Sequence, residues 1–265
     1  MPAESRSRWA LCKYFPMDRR VWAVIVLSIV LFGCRRSKEQ SAPQYTVQEL
    51  PGSVVEGRVQ FQGVPPPPKR IQVAQDVDVC GETREVYLVR VENGGVDDAV
   101  VWIDDIQRGK PFSFPPAQID QKDCTYLPHV VVMQVGDVNI TSGDPIPHSV
   151  HTHAQHNRDY NESMSPLQHD ISLSFLRPDV ISVRCDLHGW MQAYVVVAKN
   201  PYYAISENGG KFKLDGVPTG HYHLKVWSES LGESEQEIAV EAGKPTRADF
   251  TLKSQTAQAS GADKP

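Results

Sequence analysis

The stretch Cys185-Asp-Leu-His188-Gly-Trp-Met191 places a thiol, an imidazole and a thioether within seven residues, directly after a run rich in β-branched residues. A second imidazole, His148, stands earlier in the chain. Two imidazole nitrogens, a thiolate sulfur and a weakly bound thioether sulfur are the donor set of trigonal copper sites with a long axial ligand. Because soft sulfur suits Cu(I) and imidazole suits both oxidation states, the stretch predicts one copper ion that exchanges electrons.

The rest of the chain shows short β patterns. Residues 55–61 alternate apolar and polar side chains, and the prolines of residues 65–68 then end any strand. Further short apolar runs, separated by Gly, Pro and Asp, are residues 99–103, 130–135, 137–140, 171–175, 180–183 and 194–198. Since no convincing helical periodicity is found, the sequence predicts an all-β fold.

The copper motif resembles that of the cupredoxin family. In residues 113–199 a strand leads to His148, and a later strand leads into the Cys-x2-His-x2-Met loop, whose length is that of amicyanin, the shortest of the family. The resemblance implies a Greek-key β-sandwich that holds one type 1 copper. It also implies that the four ligands are His148, Cys185, His188 and Met191, and that the domain transfers electrons.

Two positions depart from the cupredoxin pattern. Ser149 stands where the family commonly has an Asn that ties the two ligand loops together, so this link is expected to be shorter or absent. Val183 stands where an aromatic residue often precedes the Cys. A binuclear copper centre is excluded because the loop holds no second Cys, and zinc is disfavoured because Met is a poor zinc ligand.

The ligand loop also suggests a route for the electron. The resemblance implies that His188 lies on the solvent side of the copper. Trp190 and Leu187 then either form an apolar patch that docks a redox partner, or Trp190 packs over the site as a shield.

A second resemblance covers residues 201–253. A turn at residues 207–210, a strand at 211–214, a Pro-x-Gly turn and an alternating strand at 221–227 resemble the carboxypeptidase regulatory-like (transthyretin-like) β-sandwich. Residues 52–59 and 99–103 resemble earlier strands of that sandwich. The copper segment is therefore either inserted into it, which we favour, or one of two domains in series.

These observations divide the chain into six parts. They are a signal peptide (1–33), a polar tether (34–51), an N-terminal β segment (52–110), a cupredoxin-like copper domain (111–200), a regulatory-like β domain (201–253) and a polar, disordered tail (254–265).

The N-terminus resembles a bacterial lipoprotein signal. Basic residues precede an apolar run at 21–32 that is too short to span a bilayer comfortably, and Gly33-Cys34 follows. The resemblance implies a lipid on Cys34 and a location in the cell envelope, periplasmic or at the outer membrane. The alternative is an anchor helix in which Cys34 is incidental.

Cysteine usage fits an oxidising compartment. With Cys12 removed with the signal peptide, Cys34 lipidated and Cys185 on copper, Cys80 and Cys124 are left as a candidate disulfide. The alternative is a second metal site, because His129 lies five residues after Cys124.

A dense group of histidines surrounds the first ligand: His148, His151, His153 and His156. In a strand that leaves His148, residues 150 and 152 share its face, while His151 and His153 point the other way. The alternation favours a polar, solvent-facing surface, and the alternative is an accessory site that captures copper.

Three functions fit the sequence. The first is a membrane-anchored electron carrier with a protein redox partner, the second a copper-handling lipoprotein, and the third a structural envelope lipoprotein with a vestigial copper site. No second copper-ligand set is evident, so an enzyme is not predicted. A net charge of −5 gives no indication of nucleic-acid binding.

Overall fold

The computed structural model describes residues 45–254, and these are almost entirely β-structure, which confirms the predicted all-β fold. No helix in this part of the chain is long and apolar enough to cross a membrane. The predicted signal peptide, the lipidation site Cys34, most of the tether and nearly all of the tail lie outside the described residues.

Strands come in three groups along the chain. The first group is β1 (Thr46–Val47), β2 (Gly52–Gln62), β3 (Lys69–Gln72), β4 (Thr83–Val86), β5 (Val91–Glu92), β6 (Gly95–Val96), β7 (Val100–Ile103) and β8 (Arg108–Gly109), with one single-turn helix, α1 (Val77–Cys80). The second is β9 (Ala117–Lys122), β10 (Thr125–Leu127), β11 (Val130–Met133), β12 (Gly136–Ser142), β13 (His148–His153), β14 (Asn161–Met164), β15 (Asp170–Phe175), β16 (Asp179–Arg184) and β17 (Gln192–Val197). The third is β18 (Tyr203–Ile205), β19 (Lys211–Pro218), β20 (Gly220–Ser228), β21 (Gly232–Val240), β22 (Thr246–Arg247) and β23 (Phe250–Lys253).

Strands β9 to β17 form the central sandwich. One sheet has the order β10-β9-β12-β15 and the other the order β11-β17-β16-β13-β14. Alternate side chains of these strands point between the sheets, so a residue such as Ile140 or Phe175 is fully buried there. This core supports the end of the sheet at which the predicted metal ligands lie.

The flanking sandwich is built from both the first and the third group of strands. Its sheets have the orders β18-β7-β20-β21 and β19-β2-β6-β5, and β22 and β23 also pair with β2. Strand β7 pairs with β18 through Trp102 and Tyr203, and with β20 through Ile103 and Leu224. Strands that precede and follow the central sandwich in sequence therefore share the same sheet.

The uninterrupted apolar runs of the sequence lie where the two sandwiches meet. Along β7, Val101 faces the core of the flanking sandwich, while Val100 faces a second apolar cluster. Along β17, Val195 faces the core of the central sandwich and Val196 faces the same second cluster. Both faces of these strands are covered, which is why apolar and polar residues do not alternate along them.

Candidate metal centre

The sequence-predicted ligands come from two neighbouring strand ends. Strand β13 begins at His148, and its antiparallel neighbour β16 ends one residue before Cys185. The loop from Cys185 to β17 is closed by two backbone hydrogen bonds. The Met191 N–H donates to the His188 carbonyl at 2.8 Å, and the Cys185 N–H donates to the Met191 carbonyl at 3.3 Å. This tight turn brings the ligand loop over the start of β13.

Three of the predicted donor atoms converge. The Sγ atom of Cys185 lies 3.7 Å from His188 Nδ1 and 4.0 Å from His148 Nδ1, and the two Nδ1 atoms are 3.1 Å apart. Nitrogen and sulfur atoms bound to one metal at about 2.0 to 2.3 Å lie roughly 3.3 to 3.8 Å from one another. The three observed distances lie within or about 0.2 Å outside this range, so small side-chain shifts place all three atoms on a single ion. Met191 is buried in the same core cluster as Cys185.

Two further groups of metal-binding residue types lie close together in the described part of the chain. One combines Cys80 and Cys124 with His188, and the other combines Cys124 with Asp144 and a histidine. Both depend on the sulfur of a cysteine that is already in a disulfide. A cysteine sulfur binds a metal well as a thiolate and not when it is part of a disulfide. The group that contains the free Cys185 is therefore the best candidate.

A carboxylate lies behind each imidazole. His148 Nε2 is 2.9 Å from Asp144, and His188 Nε2 is 3.1 Å from Asp76. Both imidazoles are fully buried. Carboxylates that bind the second nitrogen of a histidine fix its orientation and its tautomer, and they increase its basicity as a ligand.

The hydrogen bonds to the two carboxylates determine which nitrogen of each imidazole carries the proton and which faces the Cys185 sulfur with a lone pair. An ionised carboxylate only accepts hydrogen bonds, so each Nε2 carries a proton and each Nδ1 can offer a lone pair. Such lone pairs, together with the sulfur of Cys185, repel one another unless a cation or a proton lies between them. Burial lowers the pKa of His148, but Cys185 and Asp144 raise it by more, so it ends above its ordinary value. The donor set therefore fits a metal ion.

Cys185 is prepared to act as a thiolate. Burial raises the pKa of its thiol, but hydrogen bonds from His148 and from nearby backbone N–H groups more than offset this and lower the pKa to about 6. A metal at this position would bind the ionised sulfur without having to remove a tightly held proton.

Ser149 links the two ligand loops. Its hydroxyl accepts a hydrogen bond from the Asp186 N–H at 2.6 Å, and its backbone N–H lies 3.4 Å from Cys185 Sγ. The sequence predicts that a serine here makes this link shorter or absent, and the structure shows that the link is present. The short side chain is sufficient because the loops approach closely.

The expectation that His188 faces solvent is wrong. The side chain is fully buried, because residues 73–81 cover its outer edge and place Asp76 on Nε2. Trp190 is half-buried, with its ring centroid 5.3 Å from that of His188, so it packs over the site. Leu187 is 43% exposed.

Cys80 and Cys124 form a disulfide. It joins α1, which precedes the central sandwich, to the turn between β9 and β10. His129, the alternative metal partner of Cys124, has other contacts: its Nε2 atom lies 3.0 Å from Glu229 and its Nδ1 atom 3.1 Å from the carbonyl of Gln192.

The other histidines of the dense group follow the predicted alternation. Residues 150 and 152 are buried like His148, whereas His151 is half-buried and His153 is exposed. The rings of His151 and His153 are 4.4 Å apart, and Asp186 lies 3.0 Å from His151 Nδ1. The exposed His156 is held elsewhere through its backbone N–H, which donates to Asp179.

Asp76 and Asp144 were not identified from the sequence as parts of the site. Asp144 stands four residues before His148, and this spacing offered a weak local signal. Asp76 is 112 residues from His188, so no local pattern connects the two.

Comparison with known proteins finds likenesses to both parts of the chain. The model of the carboxypeptidase regulatory-like domain matches residues 190–253, a stretch that begins within the ligand loop and includes β17 to β23. No curated protein sequence matches the chain.

Similar solved structures include copper proteins. A purple cupredoxin from Nitrosopumilus maritimus is 21% identical, covers 31% of this chain and 99% of its own, and has a TM-score of 0.27. A variant of amicyanin with Cu(I) is 22% identical over 31% of this chain and 82% of its own, with a TM-score of 0.29. A copper-containing nitrite reductase from Thermus scotoductus SA-01 is 16% identical over 34% of this chain, with a TM-score of 0.30, and only 24% of its length is matched. The chain is thus similar to cupredoxins over about a third of its length and to the carboxypeptidase regulatory-like domain over residues 190–253.

Proposed function

We propose that the chain binds one type 1 copper ion through His148, Cys185 and His188, with Met191 as a weak axial ligand, and that it carries electrons rather than catalysing a reaction. The observation that supports this most strongly is the convergence of two Nδ1 atoms and one thiolate sulfur within 4.0 Å of one another. Copper supplies a one-electron couple when it is bound to such a donor set.

The protein's own residues support this role by keeping the donor atoms in place. The imidazoles are held from behind by Asp144 and Asp76, and Cys185 is held by the backbone N–H of Ser149. Donors held in this way move little when the charge of a bound ion changes, which favours fast electron exchange. Burial also keeps water away from the ion.

Loading the full-length protein with Cu(II) tests the proposal. An intense visible thiolate-to-copper band is expected in the wild type, and Cys185→Ser should abolish it. His221→Gln is the matched control: this histidine is exposed on β20, in the other sandwich, and its loss should leave the band unchanged. Wild-type protein that binds Cu(II) without this band would refute the type 1 assignment.

We further propose that the protein is anchored in the cell envelope by a lipid on Cys34 and passes electrons to or from a protein partner. The disulfide between Cys80 and Cys124 supports an oxidising compartment. A lipid tether would raise the local concentration of a weak, transient redox partner. Incorporation of labelled palmitate should be lost in Cys34→Ser but retained in Cys12→Ser, and equal labelling of both variants would contradict the anchor.

Copper handling is a second candidate, favoured by one observation. His151, His153 and Asp186 lie together near the surface, and Asp186 directly follows the ligand Cys185. If these groups receive copper, the protein should bind more than one ion per chain, and replacing His151, His153 and His156 with Gln should remove the excess. A stoichiometry of one with reversible redox cycling would instead favour the electron carrier.

A further inference from the structure

Residues 73–81, here called the cap segment, lie over the ligand loop. The side-chain amide of Gln75 donates a hydrogen bond to a carbonyl of the loop at 2.8 Å. Cys80 ties the segment to Cys124, whose carbonyl accepts the indole N–H of Trp190 at 3.0 Å. The cap segment is therefore joined to the ligand loop both directly and through the disulfide.

Asp76 reaches the candidate metal centre from this segment. Its carboxylate lies 3.1 Å from His188 Nε2, and its side chain is 30% exposed although the imidazole is fully buried. The backbone of Asp76 is left-handed, with φ 56° and ψ 32°. A residue other than glycine adopts this conformation at a cost of about 1 kcal/mol or more, so the surrounding contacts hold Asp76 in place.

With Asp76 in this position, each of the two ligand imidazoles has a carboxylate on its Nε2 atom. His148 has Asp144 on its Nε2 atom, supplied from four residues away, and His188 has Asp76, supplied from a distant segment. Two carboxylates close to the site place negative charge beside any bound ion. Negative charge stabilises the more highly charged state of that ion, which for copper is Cu(II).

We infer that Asp76 is a positioning residue of the metal centre, an inference that rests on the proposed copper function. Its carboxylate holds His188 with the proton on Nε2 and the lone pair on Nδ1, closes the outer edge of this imidazole to solvent, and lowers the reduction potential. The disulfide-anchored cap segment is what brings the carboxylate to this place.

Two substitutions separate the hydrogen bond from the charge. Asp76→Asn removes the charge but keeps an oxygen that can accept the Nε2 proton, and Asp76→Gly removes both. Asn and Gly also tolerate the left-handed backbone at this position, so neither variant is expected to unfold. Asp78→Asn is the matched control, because Asp78 is an exposed carboxylate of the same cap segment.

The first measurement needs no copper. Nitrogen-15 NMR of the metal-free full-length protein reports which nitrogen of His188 is protonated. We expect the Nε2–H tautomer in the wild type, in Asp78→Asn and in Asp76→Asn, and a mixture with the Nδ1–H tautomer in Asp76→Gly.

The second measurement uses copper. Loss of a carboxylate bound to a ligating histidine typically costs 10- to 100-fold in metal affinity, and we expect Asp76→Gly to lose Cu(II) affinity in about this range. Cu(I) affinity should fall less, and each tenfold difference between the two losses raises the one-electron potential by about 59 mV. Asp76→Asn should raise the potential while retaining the wild-type tautomer.

The two measurements distinguish failure of this inference from failure of the proposed copper function. If the tautomer in Asp76→Gly and the potentials of both variants equal those of Asp78→Asn, Asp76 does not position the site and the inference is wrong. If the wild type binds no copper, the proposed function fails. The tautomer in the metal-free variants then still decides whether Asp76 orients His188.

Discussion

A buried serine of the flanking sandwich binds backbone groups on both sides, whereas three buried side chains of the candidate metal centre, in the central sandwich, face one another. Ser206 donates to the Val96 carbonyl at 2.7 Å and accepts the Ala99 N–H at 3.0 Å, so its hydroxyl completes the local hydrogen bonding. His148, His188 and Cys185 instead converge at one point with carboxylates behind them.

The difference predicts which part of the molecule responds to a bound metal. A buried polar group with a complete set of neutral partners adds modestly to stability. A buried group of converging donors costs free energy unless a cation or a proton joins them. Metal binding is therefore expected to stabilise the central sandwich and not the flanking one.

The largest effect on stability is expected from loss of the disulfide, which lies in the central part of the molecule beside the metal centre. Replacing both Cys80 and Cys124 with Ser opens a loop with a sequence separation of 44 residues, and we expect the free energy of unfolding to fall by about 4 kcal/mol. Urea denaturation of the full-length protein, with and without reductant, measures this change. A reductant should destabilise the wild type but not the double variant, and equal sensitivity of both would contradict the prediction.

Truncating a core leucine should affect the metal centre in one sandwich but not in the other. Leu224 is fully buried in the flanking core and Leu173 is 3% exposed in the central core. Each Leu→Ala change should cost about 3 kcal/mol of unfolding free energy. The charge-transfer band of the copper-loaded protein should shift in Leu173→Ala but keep its position in Leu224→Ala. Equal shifts in the two variants would show that the site is not confined to the central sandwich.

Cys185 should contribute to the pH dependence of the stability of the metal-free protein. The pKa of Cys185 is lowered from 9.0 to about 6, so its ionisation favours the folded state. This contribution is complete above pH 9, declines as the pH falls, and is lost below about pH 6. The difference in ultraviolet thiolate absorbance between wild type and Cys185→Ser should show a step near pH 6. A step near pH 9 would show that the hydrogen bonds to the sulfur are not effective.

Two buried serines provide the smallest and most closely matched test. Ser149→Ala and Ser206→Ala should each lower the free energy of unfolding by about 1 kcal/mol, because each hydroxyl bridges two segments. Only Ser149→Ala should also change the reduction potential of the copper-loaded protein, since the Ser149 hydroxyl lies 3.8 Å from Cys185 Sγ and accepts the N–H of Asp186, the next residue. Cyclic voltammetry of both variants measures this, and equal potentials would separate Ser149 from the metal centre.

Much of the fold could be predicted because its signals are local. The β-branched runs at residues 130–133 and 194–197 form strands, as their composition favours. The alternation around His148 correctly placed residues 150 and 152 on its buried face. Side chains alternate along any strand, so the pattern can be read without knowing the neighbouring strands.

The surroundings of His188 could not be predicted because they depend on a contact between segments that are distant in sequence. Its burial depends on Asp76, which is 112 residues away and lies in a segment with no recognisable metal-binding pattern. A family pattern that leaves this histidine exposed gave the wrong expectation. Nothing local to residues 185–191 indicates that another segment covers them.

By itself, the sequence determined the types of donor atom and the spacing of Cys185, His188 and Met191, because seven residues of one tight turn can reach only a small volume. Only the tertiary structure decided that His148 meets this turn, that Asp76 covers it, and that strands from both sides of the central sandwich share one sheet. These contacts join segments distant in sequence, and they form only when the packing of whole sheets outweighs the entropy of closing the loops between them.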